Sequence, residues 1–218
     1  MDNNAAALVL FSGGQDSTVC LYWALKNFAR VETVCFRYGQ RHASEIKAAK
    51  AIAKIAGVPF RLVDAKLIAD LSRNSLTDAS IEIDSKQVLP NTFVAGRNML
   101  FISMAAVIAR ERNIENLVAG VSQTDYSGYP DCRDTFIRSL NVTLNLAMNE
   151  QFVIHTPLMW SDKSAVWKLA DDLGILNLVK TKTVTCYYGT VGNGCKNCTS
   201  CILRNQGLQQ YNSLKSKP

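Results

Sequence analysis

Five short apolar runs, each followed by a stretch with helical spacing, fill the first 180 residues and leave few folds open. The runs fall at 6–11, 31–38, 60–65, 116–122 and 152–158, and the helical patterns at 17–28, 44–57, 99–112, 135–148 and 163–174. Strands that alternate with helices imply right-handed crossovers and a parallel sheet with helices on both faces. The expectation is an α/β fold, a doubly wound parallel five-stranded sheet over residues 1–180. Its ligands should bind past the carboxyl ends of the strands. Ser44 is expected to cap the second helix, with Gly57 ending it and Pro59 just beyond. Residues 72–96 are polar and weakly patterned. Residues 181–218 read as a small appendage that carries a cysteine cluster.

With 218 residues, 48% of them hydrophobic, the chain can bury a core without disulfide staples. A net charge of +6 suits a nucleotide-phosphate enzyme as well as a nucleic-acid binder. No stretch approaches a membrane span, and the apolar start runs straight into a glycine loop, so it reads as a first strand and not as a signal peptide. The expected compartment is the cytoplasm, where seven cysteines are reduced or metal-bound.

The loop "SGGQDS" joins the first strand to the first helix at Ser12–Ser17. Gly13 and Gly14 allow positive φ and close backbone approach to a ligand. Successive N–H groups at the positive end of a helix favour an anion, and Ser12, Ser17 and Thr18 add hydroxyl donors. The loop has neither the Lys-Ser/Thr of a Walker motif nor the third glycine of the dinucleotide fingerprint. Alone it is equally well read as a tight strand–helix turn with Ser and Asp caps. In the tail, Cys186, Cys195, Cys198 and Cys201 form C-x8-C-x2-C-x2-C, a set that suits tetrahedral zinc. An iron–sulfur cluster is the rival. His42 and His155 are remote in sequence, Cys20 and Cys35 read as buried packing residues, and Cys132 sits in a loop.

"SGGQDS" resembles the pyrophosphate loop (PP-loop) of the N-type ATP pyrophosphatases. "YGQRH" (38–42), "NTFVAGRN" (91–98), "GVSQTDYSGYPDCRD" (120–134), "TPLMWSDK" (156–163) and "TCYYGTVGNGCKNCTSCILRNQGL" (185–208) extend the resemblance to the 7-cyano-7-deazaguanine synthase family within that group. It spans nearly the entire chain. Small departures are Ala95 where Pro is usual, Lys196 where Gly is usual, and Ser122-Gln123 where Cys-Glu is common.

The resemblance implies an adenine nucleotide alpha hydrolase-like sheet and an ATP-binding segment formed by Phe11, Ser12, Gly13, Gly14, Gln15, Asp16, Ser17, Thr18, Val19, Cys20 and Leu21. Within it Asp16 would organise Mg²⁺, and one structural zinc would sit on the four tail cysteines. The implied reaction joins ammonia to 7-carboxy-7-deazaguanine with ATP, through adenylated intermediates. Arg97 and Lys163 would neutralise phosphate charge, because the loop lacks its own lysine. Asp125 and Asp131 are candidates to accept the base's donors, and Tyr126 to stack on the base. Asp134 and Tyr129 share that loop and are better read as a helix cap and turn packing. A homodimer is implied, with no membrane and no stable nucleic-acid partner. Two alternatives stand beside this reading. One is a tRNA-acting adenylating enzyme. The other is a zinc nucleic-acid-binding module that uses Lys180, Lys182, Lys196, Arg204, Lys215 and Lys217.

Overall fold

A computed structural model describes residues 5–40, 43–67, 74–77, 80–82, 91–124 and 129–216. In chain order its elements are β1 (Ala6–Leu10), α1 (Gln15–Asn27), β2 (Arg30–Arg37), α2 (Ser44–Ala56), β3 (Phe60–Asp64), α3 (Arg97–Glu111), β4 (Asn116–Val118), α4 (Asp134–Met148), β5 (Val153–His155), α5 (Lys163–Asp172), α6 (Leu176–Lys182) and α7 (Thr199–Lys215). A 3₁₀ turn at Pro130–Cys132 leads into α4.

The five strands form one sheet in the order β3-β2-β1-β4-β5, and every pairing is parallel. The β1 side chains alternate between two cores. Ala7, Val9 and Phe11 join Val19, Leu21, Ile52, Ala53 and Trp167 on the face covered by α1, α2, α5, α6 and α7. Leu8 joins Val34, Phe36, Ile102 and Leu140 on the face covered by α3 and α4. Both faces of the strand are therefore apolar, as a buried parallel strand requires. The strand order switches sides of β1 between β3 and β4, so β1 and β4 open a crevice at their carboxyl ends, where such sheets bind ligands.

The expected strands and helices are all present, with shifted ends. β4 and β5 are three residues each. Gly57 ends α2 in the left-handed region (φ 69), as expected. Ser44 does not cap α2: Ala43 takes the cap position, and the Ser44 hydroxyl is buried without a hydrogen-bond partner. The tail adds α6 and the 17-residue α7, which the sequence patterns do not announce. α7 packs along α5. Gly207 makes the crossing possible, because a Cβ there would lie 2.5 Å from Lys163 Cβ and 2.8 Å from its carbonyl carbon. Trp167 Nε1 donates to the Arg204 carbonyl at 2.9 Å across the same contact. No helix among the described residues is long and apolar enough to cross a membrane.

Candidate active site and metal centre

The loop after β1 is shaped by two close backbone approaches. Gly13 has φ +80, and a Cβ on it would lie 2.6 Å from the Ala49 nitrogen in α2. Gly120, just past β4, lies so close to α1 that a Cβ would come within 3.1 Å of the Ser17 nitrogen. These contacts fix the chain direction, so that Gly14 precedes the first turn of α1. Ser12 Oγ and Ser17 Oγ sit 3.0 Å apart, and the Gly14 N–H points at Ser12 Oγ from 3.4 Å. Hydroxyls and N–H groups thus converge at a helix N-terminus, an anion-binding arrangement.

Lys163 opens α5, where the Asp162 carboxylate caps the helix by accepting the Ala165 N–H at 2.8 Å. From there Lys163 Nζ reaches Asp16 Oδ2 at 2.8 Å. The other Asp16 oxygen is buried without a hydrogen-bond partner, as are both polar atoms of the Gln15 amide. A buried carboxylate oxygen beside an anion site suits a hard cation, which takes oxygen ligands.

A cavity of about 330 Å³ runs from this loop toward α3. It is lined by Phe11, Ser12, Gly14, Gln15, Asp16, Ser17 and Lys163 at the loop, and further by Tyr38, Glu45, Arg97, Phe101, Tyr129, Cys132 and Tyr187. Phe36 and Phe101 stack at 4.5 Å, and the Arg97 guanidinium lies 6.0 Å from the Tyr38 ring centre. Burial alone would lower the Arg97 pKa, but Tyr38, Asp131, Tyr129 and Cys132 together raise it, so its charge is secure. Burial pushes the Glu45 carboxyl up to about 7, against the pull of Arg97 and with a further push from Cys186.

Phe11, Ser12, Gly14, Gln15, Asp16, Ser17, Arg97 and Lys163 meet here. Gly13 backs onto α2, away from the cavity lining. Thr18, Val19, Cys20 and Leu21 are fully buried and do not line it either; they anchor α1. Asp131 lies outside the lining: its Oδ2 accepts the Asn98 N–H at 3.1 Å, holding the start of α3. Asp125 and Tyr126 lie outside the described residues, as do His42 and Lys217. Gln123 Oε1 accepts the Asp134 N–H at 3.0 Å, so this departure from the usual pattern holds the start of α4. Lys196 takes φ 66, a left-handed conformation that glycine adopts more readily than lysine. His155 is engaged with Asn116 at 2.9 Å.

Glu45 and Thr185 are site residues that the sequence did not mark, and Arg204 stood there only as part of a basic face. Thr185 Oγ1 accepts the Gln15 N–H at 3.2 Å, and the Val184 N–H donates to the Gly13 carbonyl at 3.0 Å. Arg204 is buried. It donates to Thr183 Oγ1, Thr185 Oγ1 and the Val179 carbonyl at 2.7–2.9 Å, and stacks 5.1 Å from the Trp167 ring centre. It is therefore an internal strut and no part of a basic nucleic-acid face.

Next to this strut, the sulfur atoms of Cys186, Cys195, Cys198 and Cys201 lie within 4.8 Å of one another. A tetrahedral ion with bonds of about 2.3 Å would set them roughly 3.8 Å apart, so the set fits a metal with small adjustment. The backbone is shaped around the sulfurs. The Cys198 and Tyr188 N–H groups point at Cys195 and Cys186 Sγ from 3.3 and 3.4 Å, and a Cβ on Gly194 would strike Cys201 Sγ at 2.1 Å. The four cysteines can hold a metal ion.

The sheet order and the Ser-Gly-Gly loop after its first strand define a PP-loop-like fold. Two solved structures share this fold. A predicted subunit of tRNA methyltransferase from Methanocaldococcus jannaschii is 20% identical, with TM-score 0.51 over 77% of this chain and 74% of that one. A 4-thiouridine synthetase, solved as an RNA complex with bound ATP, is 19% identical, with TM-score 0.52 over 97% of this chain and 51% of that one. At the sequence level, the family profile described as "Queuosine biosynthesis protein QueC" matches residues 6–212. Proteins named 7-cyano-7-deazaguanine synthase are 61% identical in Parabacteroides distasonis (97% of this chain, 96% of that protein) and 56% in Clostridium acetobutylicum (97% of each). The chain belongs to the QueC family of enzymes.

Proposed function

We propose that this chain converts 7-carboxy-7-deazaguanine and ammonia to 7-cyano-7-deazaguanine, with ATP cleaved to AMP and pyrophosphate. The observation that carries the reading is the single cavity that joins the phosphate loop and Lys163 to an aromatic-walled slot. A carboxylate is a poor electrophile with a poor leaving group, and adenylation remedies both. Its oxygen attacks the α-phosphorus of ATP and pyrophosphate departs. Ammonia then displaces AMP and loses a proton, giving the amide. The amide oxygen attacks the α-phosphorus of a second ATP, pyrophosphate departs again, and loss of AMP with both N–H protons leaves the nitrile.

In this scheme the loop at 12–17 holds the departing pyrophosphate, while Lys163 and Arg97 offset phosphate charge as it shifts. Asp16 would hold the Mg²⁺ that accompanies ATP, which supplies further charge neutralisation when bound. The tail ion is proposed as zinc with a structural role, since four thiolates leave no coordination position for substrate. A homodimer in the cytoplasm is the setting the resemblance implies, and residues 1–180 and 181–218 are proposed as catalytic domain and metal-bearing segment.

Mass spectrometry of the protein incubated with ATP, ammonia and 7-carboxy-7-deazaguanine should show nitrile, with AMP and pyrophosphate. ADP as the sole nucleotide product would overturn the adenylation scheme.

A further inference from the structure

The 7-carboxy-7-deazaguanine proposed above presents two adjacent hydrogen-bond donors, the ring N1–H and the 2-amino group. They lie at the end of the bicycle away from the carbon that bears the reacting carboxylate. A site that holds the carboxylate beside the phosphate loop must therefore offer acceptors for these donors from another part of its lining. A carboxylate accepts two such donors side by side, in a charge-assisted pair.

Among the described residues the cavity lining contains two carboxylates, Asp16 and Glu45. Asp16 is engaged by Lys163 beside the phosphate loop. Of the two sequence candidates for this role, Asp125 lies outside the described residues, and Asp131 accepts the Asn98 N–H and does not line the cavity. Glu45 projects from the first turn of α2. It is close enough to interact electrostatically with Arg97 at the start of α3, with Cys35 on β2 and Tyr38 just past it, and with Cys186 in the tail. The position of α2 is set by the Gly13 approach, because a Cβ on Gly13 would also lie 2.9 Å from the Glu45 carbonyl oxygen. The helix that carries this carboxylate is thus held directly against the phosphate loop.

We infer that Glu45 is the specificity-determining residue that accepts the N1–H and 2-amino donors of the deazaguanine ring. Arg97 pulls against the burial that raises the Glu45 carboxyl, the two ring donors would favour its charged form on binding, and Phe36, Phe101 and Tyr38 supply the aromatic wall. The inference rests on the proposed substrate, so its test is made by binding as well as by turnover.

Calorimetric titration, with a non-hydrolysable ATP analogue present, would compare 7-carboxy-7-deazaguanine with its 2-deamino analogue on wild type and Glu45→Gln. Wild type should prefer the amino compound by about 100-fold, because a site built for a donor rejects a ligand that lacks it. In Glu45→Gln the affinity for the amino compound should fall by about 30-fold or more, and the preference should shrink to a few-fold, with affinity for the ATP analogue unchanged. Equal binding of the two compounds by wild type overturns the inference even if the variant is unstable. So does a variant that keeps the full preference, or one that weakens only for the ATP analogue, which would place Glu45 at the adenine. Wild type that binds with the expected preference yet forms no nitrile would instead overturn the proposed reaction and leave the assignment of Glu45 standing.

Discussion

The Ser-Gly-Gly loop and the cysteine tail form two walls of one region and are ordered by opposite means. The loop is set by core packing. Phe11 before it and Val19, Cys20 and Leu21 after it are at most 2% exposed, so strand and helix are fixed before the loop is. The tail between Thr185 and Ser200 has almost no apolar core of its own; Gly189, Gly192, Gly194 and Lys196 all take positive φ, and the buried groups at its centre are thiols. One wall is held by the hydrophobic effect, the other by a site fit for a metal, whose binding is coupled to folding. Yet they share hydrogen bonds through Val184 and Thr185. A change in either wall should therefore be felt in the other, and by unequal amounts.

The largest effect is expected from Gly13→Ala. The φ of +80 and a Cβ 2.6 Å from a backbone nitrogen leave no flexible neighbour to yield. Stability should fall by about 3 kcal/mol or more, and AMP formation by at least about 100-fold. Gly14→Ala is the control. Its φ is −79, and its Cβ would meet atoms no nearer than 3.4 Å, so folding should change by less than about 1 kcal/mol. Equal melting temperatures for both variants would show that the loop is not set by its contact with α2.

The same contrast explains what the sequence could tell. The sheet was legible because strong apolar runs alternating with helical spacing have few other uses, and the loop was legible as a strand–helix turn, its anion reading coming from the resemblance. The metal site was legible from spacing alone. Helix α7 was not, because its 17 residues are mostly polar, contain Gly207 and carry no apolar stripe. It is held instead by a buried arginine, a tyrosine and a close helix crossing, features that only three dimensions reveal. Glu45 hid in an Ala-rich helix for a related reason: nothing in its neighbours marks the side of α2 that meets the cavity. Asp131 was attractive in sequence because it sits in a loop after a strand, but a carboxylate near a helix start is often consumed as a cap.

A smaller but selective effect is expected from the tail. Removing the metal with a chelator, or making Cys198→Ser, should loosen residues 183–198 while the five-stranded sheet persists. Circular dichroism should keep most of its signal, and the melting temperature should drop. The KM for ATP should rise several-fold, because Thr185 and Val184 no longer steady the loop from outside. Metal analysis of the intact protein should return one zinc per chain. A metal-free, folded protein with an unchanged KM for ATP would mean that the shared hydrogen bonds transmit nothing.

The smallest effect tests how the loop side aims Lys163. Asp162 accepts the Ala165 N–H and the Ser164 hydroxyl, each at 2.8 Å, and these bonds hold its carboxyl below the usual range, the Ala165 N–H first. A carboxyl with a depressed folded pKa adds stability above its unfolded value of 3.8, and that stability is lost as pH falls through the lower folded value. Asp162→Asn keeps an acceptor and removes the charge. It should destabilise by about 0.5 kcal/mol at pH 7 and by progressively less toward pH 2. Asp162→Ala removes both and should be worse by about 1 kcal/mol at pH 7. Because Lys163 is the next residue, Asp162→Ala should also weaken ATP turnover several-fold, while Asp162→Asn leaves it near wild type. Urea unfolding at several pH values, with parallel turnover assays, reads both. If the gap between wild type and Asp162→Asn grew on acidification, the charge would be destabilising where it sits, and the start of α5 would be fixed by its packing on Gly207 alone.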